Sequence, residues 1–331
     1  MTNDFFFYTE TAFIHQGNVD YMMQLVKASA AAGARGIKFQ VILDYDALIS
    51  KANPNYDSFK VAMISKSDWE KIFLYARECG LDIIMILGDA EVARCVNNEW
   101  KHLVRYIDIA PAGFIYQPSL DAIKQSNIDV ILGVGGRTKN EIDQKLAFFG
   151  GQVKVLMFGH QAFPTQLHQS AIGKIPLLAK AYPELVIGYA DHTPYNSVWS
   201  RQLHSVAYML GARCFEKHIG LTEGEERFDY MTASSEDSLR NMITDMNELA
   251  EKNVEIPCLD KLNASEVKYT ARQVKAVAAR NMEAGEMITE KDIHYKMFEG
   301  DEGFDYCTNI IGKKLSVSLQ ADFPFTAANI I

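Results

Sequence analysis

Two histidines stand near the ends of neighbouring segments: His192 in Gly188-Tyr-Ala-Asp-His-Thr193 and His218 in Glu216-Lys-His218. Together they can offer two imidazole ligands to one divalent ion, with water and substrate in the remaining positions. An ion held that way polarises a carbonyl for attack by a carbon nucleophile. Other polar side chains recur where β-branched runs end: Glu10 and His15, Lys38 and Gln40, Asp89, Asp108, the run Gly133-Val-Gly-Gly-Arg137, His160 with Gln161, and Asp191. Residues two apart on a strand share a face, which groups Lys38 with Gln40 and Glu216 with His218. Plainer roles fit the same residues. The histidines can simply hydrogen-bond, and Lys38 can lay its stem on apolar surface with its head in water. The Gly133–Gly136 run suits a tight strand-to-helix turn as well as a phosphate-cradling nest. His102, His160, His168, His204 and His294 read as surface or structural residues.

What could bring such residues to one place is a repeated strand–helix alternation. Eight β-branched or aromatic runs are legible: Phe5–Ile14, Gly36–Leu43, Leu81–Gly88, Tyr106–Ala110, Asp129–Gly133, Gln152–Phe158, Glu184–Ala190 and Arg213–Ile219. Between them lie amphipathic stretches, as with Met22, Leu25, Val26 and Ser29. Gly33, Gly80, Gly150 and Gly211 each precede a strand, where a helix end wants a left-handed residue. Eight such units in about 250 residues predict a (β/α)8 TIM barrel, whose strand ends converge on one mouth. A helix over Ser235–Asn253 ends this part. The expected division is a barrel over 1–255, a linker over 256–267 and a small β-rich module over 268–331, too small to be comfortable alone.

Composition bounds the setting. The chain has 331 residues, with 42 acidic against 33 basic side chains and a net charge of -9, which argues against a broad nucleic-acid-binding face. No apolar run approaches the roughly 20 residues of a membrane span. The N-terminus has no secretory pattern, and Cys79, Cys95, Cys214, Cys258 and Cys307 are scattered without a C-x-x-C pair. A cytoplasmic enzyme with reduced thiols is expected.

Four segments, taken in order, resemble the sialic acid synthase family, which makes N-acetylneuraminate and related nonulosonic acids. Glu10-Thr-Ala-Phe-Ile-His15-Gln-Gly17 is similar to E-I-G-x-N-H-x-G, and Ala32-Gly-Ala-Arg-Gly-Ile-Lys38-Phe-Gln40 to A-G-A-D-x-x-K-F-Q. The third and fourth, Gly188–Thr193 and Gly211–His218, resemble G-x-S-D-H-T and G-A-x-x-[IL]-E-[KR]-H. Ala284–Ile293 with Ile311-Gly-Lys resembles the antifreeze-like (SAF) domain that ends these synthases.

The resemblance implies a metal-dependent condensation of phosphoenolpyruvate with the open-chain aldehyde of an N-acetylhexosamine-like sugar. Manganese or magnesium would sit on His192 and His218. Glu10 would handle protons at the reacting centre, and Lys38 would contact the donor's anionic end, with Gln40 beside it. Asp229 would lie near the sugar. His15, Asp191, Gly135 and Arg137 are the remaining expected substrate contacts. A homodimer is implied in which each antifreeze-like module caps the partner's barrel.

Departures cluster on the donor side. Asp108 and Pro111 stand where the family has a phosphate-binding lysine and a serine; Gly133 and Ala190 lack further hydroxyls, and Met297 replaces an arginine of the module. An aspartate beside a phosphate turns attraction into repulsion, about 4 kcal/mol per close charge pair at intermediate dielectric. The reading therefore stays open between a divergent synthase with phosphoenolpyruvate or a related three-carbon donor, a barrel enzyme of changed reaction (aldolase, hydratase or epimerase), and a weakened sugar-acid-binding paralogue.

Overall fold

The computed structural model describes residues 5–111, 114, 117–159, 162–251, 260–270, 274–300, 302–306 and 308–331. His160, Gln161, Cys258, Cys307 and residues 256–259 of the expected linker lie outside them. The chain divides into two compact units, Met1–Val254 and Glu255–Ile331.

In the first unit the eight expected strand runs form eight parallel strands: β1 Phe6–Glu10, β2 Gly36–Val41, β3 Asp82–Leu87, β4 Val104–Ile109, β5 Asp129–Gly133, β6 Val153–Phe158, β7 Val186–Asp191 and β8 Cys214–Ile219. Each pairs with the next, and β1 pairs with β8, closing the sheet. A helix follows each strand: α1 Val19–Ala31, α2 Lys66–Glu78, α3 Ala90–Cys95, α4 Gln117–Ser126, α5 Lys139–Phe149, α6 Ile175–Ala181, α7 Val198–Met209 and, after the two-residue β9 Ala233–Ser234, α8 Glu236–Glu251. This is a (β/α)8 barrel.

Local sequence explains the elements. Asn18 caps α1 through the Tyr21 amide, and Tyr21, Met22, Leu25, Val26 and Ser29 recur at helical spacing on its buried face. Thr138 and Glu141 form a reciprocal capping box at the start of α5. Gly33, Gly80 and Gly211 take φ values of 91°, 80° and 108°, left-handed conformations in which a side chain would be strained. Asp89 proves structural: it caps α3 through Val92 and accepts from the Leu43 and Asp44 amides.

Side chains alternate across the barrel wall. Tyr8, Ile84, Ile131, Val155, Met157 and Cys214 pack inside, while the larger apolar core lies between strands and helices. In that outer layer the Lys217 ammonium meets the Asp191 carboxylate at 2.6 Å and the Thr193 carbonyl at 3.0 Å, with both charged side chains fully buried. Burial opposes the Asp191 charge, but Lys217 outweighs it and holds the carboxyl down to about 2.

The second unit begins with α9, Ala264–Thr270, which takes up the last residues of the expected linker. Antiparallel β10 Val274–Ala278 and β11 Ile293–Met297 follow, over a small core that includes Ile288, Leu315 and Phe325. Among the described residues no helix is long and apolar enough to cross a membrane.

Breaking a buried ion pair by removing one partner costs about 3–5 kcal/mol. Lys217→Met should therefore lower the urea midpoint of the first unit sharply at pH 7. Tryptophan fluorescence reads that unit, since Trp69, Trp100 and Trp199 all lie in it. The wild-type pair's contribution is complete above about pH 4 and is lost as pH falls towards 2, because the depressed Asp191 carboxyl is then protonated. An unchanged midpoint in the variant would contradict this account.

Candidate active site at the barrel mouth

Strand register assembles the site. Glu10, the last residue of β1, lies opposite Lys38 on β2 and opposite His218 on β8, while Tyr8 lies opposite Glu216. With Asp108 from β4, these buried side chains face one another across the barrel axis.

The Lys38 ammonium lies 2.9 Å from Glu10, 3.1 Å from Asp108 and 2.7 Å from Glu216. The Tyr8 hydroxyl donates to Glu216 at 2.8 Å and reaches Asp108 at 3.4 Å. Three carboxylates thus share one ammonium, and their ionisation separates. Burial disfavours charge on Glu10, yet Lys38 and His218 outweigh it and hold this carboxyl well below its usual range. Burial pushes Glu216 well up, with the Glu10 charge adding to the effect, and it also pushes Asp108 up. Burial alone would lower the Lys38 pKa, but Asp108, Glu10 and Glu216 together raise it well above normal.

The two histidines adjoin this group. Their ring centroids are 5.0 Å apart, and His218 Nε2 is 3.1 Å from Glu10. Thr232 Oγ1, which donates to the Asp229 carbonyl, is 3.2 Å from His218 Nδ1 and fixes the ring from behind. Burial, and then His218, holds His192 down to about 3, so its imidazole is neutral with a lone pair free. The exposed ring of Phe163 sits against both, at centroid distances of 4.8 and 5.7 Å.

Ligand atoms of Glu10, His192, Glu216 and His218 all lie within 4.8 Å of one another. The chemistry of this set suits a divalent cation. It offers two imidazoles and two crowded carboxylates, and His192 Nδ1 is buried without a hydrogen-bond partner. A cation there would offset the burial and the Glu10 charge that push Glu216 up.

The remaining expected site residues divide. Gln40 stands on the same strand face as Lys38, two residues further along β2. Asp229, in a left-handed conformation, is close enough for the His218 and Glu10 charges to act on its carboxyl, which burial raises. Four others are placed elsewhere. Asp191 points outward to Lys217, because the residue before His192 has the opposite strand parity to Ala190. His15 packs edge-on to Trp69, accepts from the Gly17 amide and is held neutral by burial, at about 4. Arg137 donates to the Pro111 carbonyl at 2.6 Å and pairs with Glu141 at 3.3 Å, over the Phe114 ring. Gly135 serves a close approach: a Cβ there would stand 1.8 Å from the Gly159 carbonyl oxygen. The glycine run is a tight turn, with the Val134 and Arg137 amides bonded to Met157 and Val134 carbonyls.

Sequence reasoning left Tyr8, Thr232 and the cation-binding geometry of Glu216 unassigned. Strand parity with Glu10 and His218 was the available signal for Tyr8 and Glu216. Nothing in the spacing pointed to Thr232.

The spore coat polysaccharide biosynthesis protein SpsE of Bacillus subtilis is 24% identical to this chain, over 80% of it and 74% of the relative. An N,N'-diacetyllegionaminic acid synthase of Campylobacter jejuni is 22% identical, over 85% of this chain and 87% of that one. The crystal structure of an N-acetylneuraminic acid synthetase from Leptospira borgpetersenii superposes with a TM-score of 0.70 at 20% identity, covering 81% and 90% of the two chains. The model of the NeuB family matches residues 25–255, nearly the whole barrel, and by that match the chain belongs to the NeuB family.

Proposed function

We propose that this chain is a metal-dependent enzyme that forms a carbon–carbon bond between a three-carbon donor, phosphoenolpyruvate or a related acid, and the aldehyde of an N-acetylhexosamine-like sugar. The product would be a nonulosonic acid. The observation that carries this reading is the buried cluster of Glu10, His192, Glu216 and His218, at the end of a barrel that matches the NeuB family. Relatives named as legionaminic acid synthases support the substrate class.

His192 and His218 would hold manganese or magnesium, with Glu10 and Glu216 within reach of the same ion. When bound, the metal supplies Lewis-acid polarisation of the acceptor aldehyde. The protein's own groups do the rest. Thr232 keeps His218 in one orientation, and Glu10, ionised and beside His218, can take up or return a proton at the new hydroxyl. Lys38 fixes the carboxylates in place and faces the donor. Gln40 and Asp229 lie towards the mouth, where the longer acceptor would enter. Phe163 keeps bulk water from the imidazoles.

For the second unit we retain the antifreeze-like assignment and a domain-exchanged homodimer as proposals. They rest on the sequence resemblance and on the small apolar core of that unit. Cys79, Cys95 and Cys214 are free thiols, in keeping with a cytoplasmic setting.

His192→Ala or His218→Ala should abolish stoichiometric manganese binding in calorimetry, whereas His102→Ala, on the exposed surface, should leave it intact. Retained binding in the first two would refute the metal assignment. Manganese-loaded protein given three-carbon donors and a panel of N-acetylhexosamines should form a 2-oxo sugar acid, detected by mass spectrometry. Glu10→Gln should lower the rate by about 10²-fold or more. No product from any pair would contradict the proposed reaction.

A further inference from the structure

We propose that the donor carries no phosphate, and that Asp108 sets this preference: the site takes an unphosphorylated 2-oxo acid, of which pyruvate is the simplest. The inference rests on the carbon–carbon-bond-forming reading above and specifies its donor.

The cavity at the barrel mouth is lined by Lys38, Asp108, Gly133, Met157, His192 and Glu216, among others. Lys38 is the one Lys or Arg among the described residues that line it. An ammonium has three N–H donors, and here three carboxylate oxygens stand within 3.1 Å of it. A cation on the Glu10, His192, Glu216 and His218 cluster would draw Glu10 and Glu216 away from that ammonium. Asp108 lies outside the cluster and would remain on Lys38 in either state. A phosphate group would therefore meet an ammonium already neutralised, with a carboxylate directly beside it.

Other candidate anchors for a phosphate are engaged in part, although Arg137 Nε has no partner. Arg137 is tied to the Pro111 carbonyl and to Glu141. The Val134 and Arg137 amides are bonded within their turn and to β6. What the cavity offers is a compact, partly apolar space beside the His192 imidazole, suited to a small monoanion that can share a cation's charge.

With pyruvate the step is an aldol addition. A proton leaves the C3 methyl group for a cavity carboxylate, and C3 bonds to the aldehyde carbon. The carbonyl π pair moves to oxygen, which takes a proton back. No water is consumed and no phosphate leaves. The product skeleton is the same 2-oxo-3-deoxy acid that a phosphorylated enol would give with uptake of water and release of phosphate.

Calorimetric titration of the manganese-loaded, full-length protein with pyruvate and with phosphoenolpyruvate tests the proposal. Pyruvate should bind about tenfold or more tightly, and Asp108→Asn should reduce or reverse that ratio by about tenfold, the effect of removing one close charge. The wild-type ratio stands by itself should the variant fail to fold. Equal binding, tighter phosphoenolpyruvate binding, binding of neither, or a ratio unchanged in a folded Asp108→Asn would each overturn it. Product formation from the sugar aldehyde, read in the same samples, judges the reaction separately. No product with either donor would contradict the proposed reaction, and the binding ratio would still decide the donor.

Discussion

One ammonium, that of Lys38, holds three buried carboxylates at the mouth of the barrel, and the character of the site follows from that imbalance. Glu10, Asp108 and Glu216 come from three different strands, and without a shared cation their charges would drive those strand ends apart. One positive charge is set against all three. Lys38 and His218 hold Glu10 well down, burial pushes Glu216 well up, and Asp108 is raised by burial against the pull of Lys38. Such a group is unwelcoming to another anion and ready for a cation.

The fold delivers this arrangement through register and parity. Closing β1 between β2 and β8 puts Glu10 beside both Lys38 and His218 in a single layer, and the layer beneath puts Tyr8 beside Glu216. Behind the wall, alternation sends Lys217 and Asp191 outward, where they form a fully buried pair between the ends of β7 and β8. Thr232 steadies His218 from outside the cavity. The reactive face can then stay open while its supports are packed.

Much of this architecture was legible in the sequence. The eight strand runs stand out because parallel strands buried on both faces read as short apolar stretches, and the glycines at 33, 80 and 211 mark helix ends that need a left-handed residue. His192, His218, Glu10 and Lys38 were legible as a group because strand ends converge in a barrel. What escaped was direction and partnership. Asp191 adjoins a site histidine in sequence yet faces the other side of the wall. Arg137 follows a glycine run suited to phosphate, but its guanidinium is fastened to a carbonyl 26 residues away in sequence. Long polar side chains find partners through tertiary contacts that spacing does not encode.

The central claim is that the carboxylates gathered by Lys38, together with His192 and His218, form a cation site in which Asp108 stays with the lysine. The most direct measurement is a crystal structure of protein grown with manganese, with anomalous scattering recorded at the manganese edge. The account predicts one strong peak among Glu10, His192, Glu216 and His218, with the Lys38 ammonium still in contact with Asp108. A barrel mouth without an anomalous peak, or a bound ion with Lys38 turned away from Asp108, would contradict it.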